Sequence, residues 1–451
     1  MTARQDLSLK EQADAFVKQH PHLDQLELLA SDLNGNFFSK RFPYHQLPQL
    51  VENGLSVPRA MYVLSGTSES MADYVGMGED DGDPDMLVDI APGTLSITDW
   101  GEIARAQAVL HSRPSEVIVD PRRVLADVID QCKKKGLNPV VAFELEYTYF
   151  EKDRAENGAL KTVINPLTNE ADTPTMLGAE RLEGFESILN ETIASCKAQG
   201  IGTSTVCAEY GAGQFEINFP HYENALEAAD HAQLFRRAVK SVARKNNKRA
   251  SFIAKYDPEC AGNGQHMHVS MLNEKGENIF SGGDKPADAL MHAIGGLKQA
   301  SREAMLFWAP SLNSYRRFAP SNCTPTGATW AFEHRHVAFR IPLAKGNAWR
   351  VENRVPGADA NCYLTMATML AGMLYGIENQ IDPGEETSGA PGMDSSLLPL
   401  SIRDAIKNTR EGQILPNYID EDFIALFANH REGELHSFED FISPRELDWY
   451  L

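Results

Sequence analysis

The sequence predicts an α+β protein in two domains, a small β-rich N-terminal one and a larger one that mixes strands with long helices. Three observations carry this. The length of 451 residues exceeds the size at which a single hydrophobic core stops growing. Apolar runs at 26–33 and 37–42 flank Asn34-Gly35-Asn36, and because Asn-Gly readily adopts positive φ they read as a hairpin. Farther along, stretches with an apolar period of two are interleaved with stretches of helical period.

The elements follow in order. Residues 65–85 are rich in Gly, Ser and Asp and are expected to form a long loop leading to an apolar strand at 86–90. Residues 114–121 read as a boundary, giving domains at 1–117 and 118–451. Residues 122–135 have helical spacing that stops at Gly136. Residues 140–150 alternate as a strand, which places Ala142, Glu144, Glu146 and Thr148 on one face. Residues 223–246 and 286–307 read as long amphipathic helices, and 361–379 as a buried one. Further strands are expected at 215–219, 267–272 and 337–342, and a Gly/Pro/Ser-rich loop at 382–394.

Composition narrows the function classes. A formal charge of −21 argues against nucleic-acid binding, which needs clustered Lys and Arg to neutralise phosphates. The 6 cysteines, at 132, 196, 207, 260, 323 and 362, show no CxxC spacing, so neither a zinc site nor a disulfide framework is indicated. Residues 1–24 lack the basic start and apolar run of a signal peptide, and the apolar stretch 363–377 is too short to span a bilayer. A soluble cytoplasmic protein, not on a membrane, is the expectation.

Four stretches carry chemistry. Phe143-Glu144-Leu145-Glu146-Tyr147 and Glu209-Tyr210-Gly211-Ala212-Gly213-Gln214-Phe215-Glu216 are carboxylate pairs, Gly264-Gln265-His266-Met267-His268 adds two imidazoles, and Trp349-Arg350-Val351-Glu352-Asn353-Arg354 adds arginines. Hard divalent cations take clustered carboxylate oxygens with an occasional imidazole, and phosphates beside such cations take guanidinium forks. Each motif alone has a plainer reading, as a solvated stripe, structural histidines or surface ion pairs. Glu216 resists it, because it sits in the apolar strand 215–219, where an unpaired carboxylate is costly to bury. Arg340 and Arg354 lie in similarly apolar settings, and Arg316, Arg317, Arg335 and Arg350 are near them in sequence. Gly262-Asn263-Gly264 and Gly200-Ile201-Gly202 are too short for a dinucleotide-binding fingerprint.

Together with Asn313-Ser314-Tyr315-Arg316-Arg317 and His334-Arg335-His336-Val337-Ala338-Phe339-Arg340-Ile341-Pro342, these motifs resemble the glutamine synthetase superfamily from about Asp32 to Trp449. The resemblance implies a β-grasp N-terminal domain on a catalytic domain of curved antiparallel β-sheet with flanking helices. It also implies rings, commonly dodecamers, with each site between neighbours. By motif, Glu146, Glu209 and Glu216 match the ligands of one Mg2+ or Mn2+, and Glu144, His266 and Glu352 those of a second. Gly262, Arg317 and Arg354 match glutamate-binding positions. His268, Ser270 and Arg350 match ATP contacts, and Arg335 and Arg340 phosphate contacts. Arg335, Arg340 and Arg354 are accordingly the expected catalytic arginines.

Departures from the family pattern point to the nucleophile. Ser65-Gly66-Thr67-Ser68 stands where glutamine synthetases carry the ammonium-binding aspartate, and Cys323-Thr324-Pro325 where they carry a flap glutamate. Ala261 replaces an asparagine beside the glutamate-site glycine, and residues 389–399 lack the tyrosine of the adenylylated loop. Gly357-Ala358-Asp359-Ala360-Asn361 is similar to γ-glutamylputrescine and γ-glutamylpolyamine synthetases. The expected reaction joins the γ-carboxylate of glutamate to a primary amine, through γ-glutamyl phosphate. A polyamine such as putrescine or spermine suits the acidic loop with Glu69, Asp73, Glu79, Asp80, Asp81, Asp83 and Asp85. The proton acceptor stays open, with Glu209 and Glu216 as candidates. Monoamine ligation, ammonium-dependent glutamine synthesis and a catalytically silent ring scaffold are the other readings.

Overall fold

The computed structural model describes residues 8–77, 82–111, 117–156, 158–318, 324–389 and 398–451. Glu79, Asp80, Asp81, Cys323 and most of 389–399 lie outside these residues.

The chain opens with helix Leu9–Gln19, which the sequence reading passed over; Ser8 and Glu11 form a reciprocal capping box at its start. The expected hairpin follows as strands Gln25–Ser31 and Phe37–Pro43, paired antiparallel. Its connection is longer than a tight turn. It spans 32–36, with the Asp32 carboxylate accepting the Asn36 N–H at 2.7 Å and Gly35 at φ 75°. Strand Gln25–Ser31 then pairs in parallel with Ala104–Leu110, which in turn pairs antiparallel with Asp85–Ile90 and so with Leu55–Pro58. Leu26, Leu28, Ile90, Ala104 and Ala106 pack with Ala13, Phe16 and Leu47 of the adjoining helices into a small core of their own. Leu29, Val57, Met86, Val88 and Leu110 join the main core of the molecule.

The expected long loop at 65–85 contains a short helix, Ala72–Val75, and its described part is held on helix Glu421–Glu439. Gly66 N–H donates to Glu434 at 2.7 Å, and the ring nitrogen of His436 is 3.1 Å from the Tyr74 hydroxyl.

Among the described residues the larger sheet has nine strands. The main path runs Val206–Ala208, Gln214–Asn218, Leu137–Arg154, Gln265–Asn273, Val351–Asn353, Phe339–Ile341 and Trp330–Phe332. All neighbours are antiparallel except the last pair. Strand Leu137–Arg154 is the spine, and its length lets it also hold Lys248–Ser251 and Leu160–Thr162.

Helices Pro121–Lys134 and Ala225–Lys245 pack on one face of this curved sheet, Cys362–Asn379 packs against both of them and Asp288–Trp308 against Cys362–Asn379, all within a residue or two of their expected limits. Caps explain the starts: Asp120 accepts from Arg122 N–H, and Asn224 and Asn361 accept from the first turns of their helices. Asp288–Trp308 and Cys362–Asn379 touch through glycine. A Cβ on Gly376 would lie 2.1 Å from the carbonyl oxygen of His292, so only glycine permits this approach. The stretch 363–377 is a core element, as its buried side chains require, and among the described residues no helix is long and apolar enough to cross a membrane. Cys132, Cys196, Cys207, Cys260 and Cys362 are all free thiols.

Candidate active site

Cross-strand register assembles the site on the sheet face away from the helices. On the spine strand Phe143, Leu145 and Tyr147 are fully buried in the core, so the alternating Glu144 and Glu146 stand on the other face. Glu216 lies directly opposite Glu146, and Asn218 and His266 lie opposite Glu144 from either side. His268 is opposite Glu352, and Glu352 opposite Arg340. Cys207 is opposite Glu216, with Glu209 just beyond it.

Ligating atoms fall within 4.8 Å of one another in three groups: Glu144, Glu216 and His266; Glu144, His268 and Glu352; and Cys207, Glu209 and Glu216. These cut across the two ligand sets implied by the resemblance, because His268, expected on the nucleotide, is also 2.9 Å from Glu144. Glu146 joins none of the three. Its Oε2 accepts the Gly264 N–H at 2.8 Å and the Gln214 amide at 3.1 Å.

The charges on this face are unbalanced in a way that a divalent cation would relieve. Burial, then the charges of Glu144, Glu146 and Glu209, push the Glu216 carboxyl far above its usual range. Burial and the Glu146 charge push Glu209 up to about 7. Burial also opposes ionisation of Glu144 and Glu352, but His266 and His268 hold the first well below the carboxylate range, and Arg354, His268 and His266 hold the second at about 2. Five carboxylates and two imidazoles are a donor set suited to Mg2+ or Mn2+.

Arginines border the carboxylates. Arg340 donates to Glu352 Oε2 at 2.7 Å, while Arg354 donates to Glu352 Oε1 and, at 3.0 Å, to the carbonyl of Arg335. The side chain of Arg335 itself is exposed, as is that of Arg316. Arg350 lies beside His268, its Nε 3.4 Å from Nδ1. Ser270 continues the row of His266 and His268 two residues on and is buried.

Arg317 is buried at the end of the short 3-10 helix Ser314–Arg317 and donates to the Val355 carbonyl at 3.1 Å. Two motif residues hold it there. Asn313 bonds both ways to the Lys255 backbone, and Ser314 donates to Asp359 at 2.6 Å. Gly262 packs against the same arginine: a Cβ there would meet the Ala254 carbonyl oxygen at 2.6 Å and Arg317 Cγ at 2.7 Å. A Cβ on Gly264 would be nearly as crowded, 3.0 Å from His266 Nε2 and 3.2 Å from Arg317 Nη2.

Several contributing residues escaped the sequence reading. Gln214 links Glu146 to Gly262 and Asn263, and Asn218 donates to Glu144 at 3.1 Å. Alternation could have found both, since Gln214, Glu216 and Asn218 share a face of one strand. Arg181 could not be found that way: it reaches in from helix Ala179–Gly184, paired with Asp172, to hold the carbonyls of Glu209 and Gly211. Cys207, whose Sγ is 3.6 Å from Glu216, was seen only as an isolated cysteine.

Comparison with known proteins shows the family. Residues 118–450 match the glutamine synthetase catalytic domain. The chain is 34% identical to the γ-glutamylputrescine synthetase PuuA of Escherichia coli (strain K12), with 99% of this chain and 96% of the relative covered. It is 28% identical to a glutamate–isopropylamine ligase of a Pseudomonas species, over 97% and 96% of the two chains. Among solved structures it is similar to ligand-free GmaS, with a TM-score of 0.83 at 24% identity over 97% of this chain and 98% of that one. The match to that catalytic domain, together with a relative 34% identical along nearly the whole length of both chains, identifies the chain as a ligase of the glutamine synthetase family.

Proposed function

We propose that this chain is a γ-glutamylamine ligase that couples ATP cleavage to amide formation between the γ-carboxylate of glutamate and a primary amine, with a polyamine as the preferred amine. The observation that carries the reading is the crowding of Glu144, Glu146, Glu209, Glu216 and Glu352 on one sheet face with Arg317, Arg340 and Arg354 at its margin. Members of this family use ATP and divalent metal ions, and a face of this charge pattern suits a cation-bound nucleotide. Bound cations would neutralise the phosphates at Glu144, Glu146, Glu209, Glu216, His266 and Glu352.

In the proposed reaction Gly262 and Arg317 fix the glutamate, and Arg350, His268 and Ser270 the nucleotide. A γ-carboxylate oxygen attacks the terminal phosphorus of ATP and ADP leaves. Arg335 and Arg340 hold the phosphoryl group, and the work is positioning and charge neutralisation. The amine nitrogen then attacks the acyl carbon, phosphate departs and the nitrogen loses a proton, with Arg354 and Arg340 balancing the negative charge that develops.

An amine in preference to ammonium is supported by the turn at 65–68. Ser65 takes the place of an ammonium-binding carboxylate and spends its hydroxyl on Thr67 and the Glu69 N–H. Relatives named for putrescine and isopropylamine leave the amine class to experiment. The division at residue 117, assembly into rings and a cytoplasmic location belong to the same proposal.

The test is ADP release by the purified protein with glutamate, Mg2+ and ATP, comparing ammonium, putrescine, spermidine, spermine and alkyl monoamines. Turnover with diamines and polyamines and none with ammonium is expected. Ammonium as the best nucleophile would overturn the reading, and so would silence with every amine.

A further inference from the structure

A cavity of about 220 Å³ lies between the N-terminal hairpin and helix Ala225–Lys245, on the side of the large sheet opposite the carboxylates. Gly35 and Asn36 line one wall, and Arg236, Arg237, Lys240 and Arg244 the other. The four cations recur at helical spacing along one stripe of the helix. Four cations facing one small cavity stand out in a chain of formal charge −21.

Among the described residues only one of them meets a carboxylate. Glu27 takes Arg237 in a two-pronged pair at 2.7 and 3.0 Å. Among the described residues no carboxylate pairs with Arg236, Lys240 or Arg244. Arg236 is buried and donates to the Ala360 carbonyl at 3.0 Å, and both it and Lys240 sit over the ring of Phe252. Burial, with Arg236 and Arg244 beside it, pushes the Lys240 ammonium down to about 8. A buried guanidinium and a half-buried ammonium left side by side without an anion are costly, and a negatively charged occupant removes the cost.

We propose that this cavity is a binding site for a small multiply charged oxyanion, distinct from the ATP and glutamate sites. The chemistry is that of phosphate or carboxylate oxygens, which guanidinium forks and an ammonium grip together. The volume is below the roughly 300–1,000 Å³ of pockets for drug-sized ligands, which restricts the occupant to something the size of pyrophosphate or a tricarboxylate. The hairpin belongs to the N-terminal sheet and the helix to the catalytic core, so an occupant bridges the two and stabilises their seam.

The experiment uses the full-length protein and thermal unfolding in inorganic phosphate, pyrophosphate or citrate at matched ionic strength against chloride. A rise of about 1–3 °C at saturating anion is expected. Which of the phosphate and carboxylate arms responds separates the two sources. In Lys240→Gln/Arg244→Gln the rise should disappear, while the stabilisation by ADP with Mg2+ and the amine-dependent turnover persist; Arg244→Gln alone, at an exposed position, serves if the double variant folds poorly. A rise that survives in both variants and vanishes in Arg340→Ala would place the anion at the nucleotide site and overturn the proposal. Variants that lose assembly mass with no anion response in the wild type would do so too, by assigning the cations to a contact with a second copy.

Discussion

Glu216 sits in an apolar strand with the charges of Glu144, Glu146 and Glu209 around it, and its behaviour follows from that crowding. The groups raised here are carboxylates that bind a proton more tightly in the folded state. Their contribution to stability is therefore full below the ordinary glutamate range and is lost as pH rises through the folded value, about 7 for Glu209. In chelator, the melting temperature should fall between about pH 5 and pH 7.5, and Mg2+ should restore it at the upper end. Glu216→Gln should flatten that pH dependence and lower turnover by at least about 100-fold. A melting curve unchanged by both pH and Mg2+ would contradict the cation reading. Gly262 supplies a second check: Gly262→Ala puts a methyl against the Ala254 carbonyl and Arg317, so the KM for glutamate should rise by roughly 10-fold or more with less effect on that for ATP.

At the scale of elements, three helices are tied behind the sheet by one buried pair. Arg122 on Pro121–Lys134 donates twice to Asp230 on Ala225–Lys245, at 2.8 and 2.9 Å, and the Tyr363 hydroxyl on Cys362–Asn379 donates to the same carboxylate at 2.8 Å. Asp230→Ala strands a buried guanidinium and should cost about 3–5 kcal/mol in urea unfolding, whereas Asp230→Ala/Arg122→Met should recover much of it. The sequence announced these helices through their period, and the central strand through its alternation. It was silent on helix Leu9–Gln19, whose apolar face is short, although Ser8 and Glu11 carried a capping signal. It also gave no hint that the 137–154 strand would hold partners along both edges, because pairing depends on segments as distant in sequence as Gln214–Asn218 and Gln265–Asn273.

For the whole molecule, the most conspicuous surface is the tail. Phe438, Phe441, Ile442, Leu447, Trp449 and Tyr450 are all at least half exposed, and helix Pro444–Tyr450 buries none of its side chains. A contiguous apolar patch of this kind is the chemistry an association surface presents, and the proposed assembly gives it a test. Leu447→Ser/Trp449→Ser should lower the mass measured by light scattering while leaving the circular dichroism unchanged. An unaltered mass would remove the tail from the proposed assembly.

The sequence by itself determined the family and the α+β class, and it named the carboxylates, imidazoles and arginines of the candidate site, because period-two alternation and short motifs are local properties of the chain. Tertiary structure decided which of them meet. Register set Glu216 against Glu146 and His266 against Glu144. It also drew His268 onto Glu144, spent Glu146 partly on Gln214 and Gly264, and brought Arg181 and Cys207 to the carboxylates. The basic cavity is likewise invisible in the sequence, since the stripe on helix Ala225–Lys245 looks like an ordinary solvated face until the hairpin folds over it. Contact between distant segments is what turns a charge pattern into a field, and that contact exists only in the folded chain.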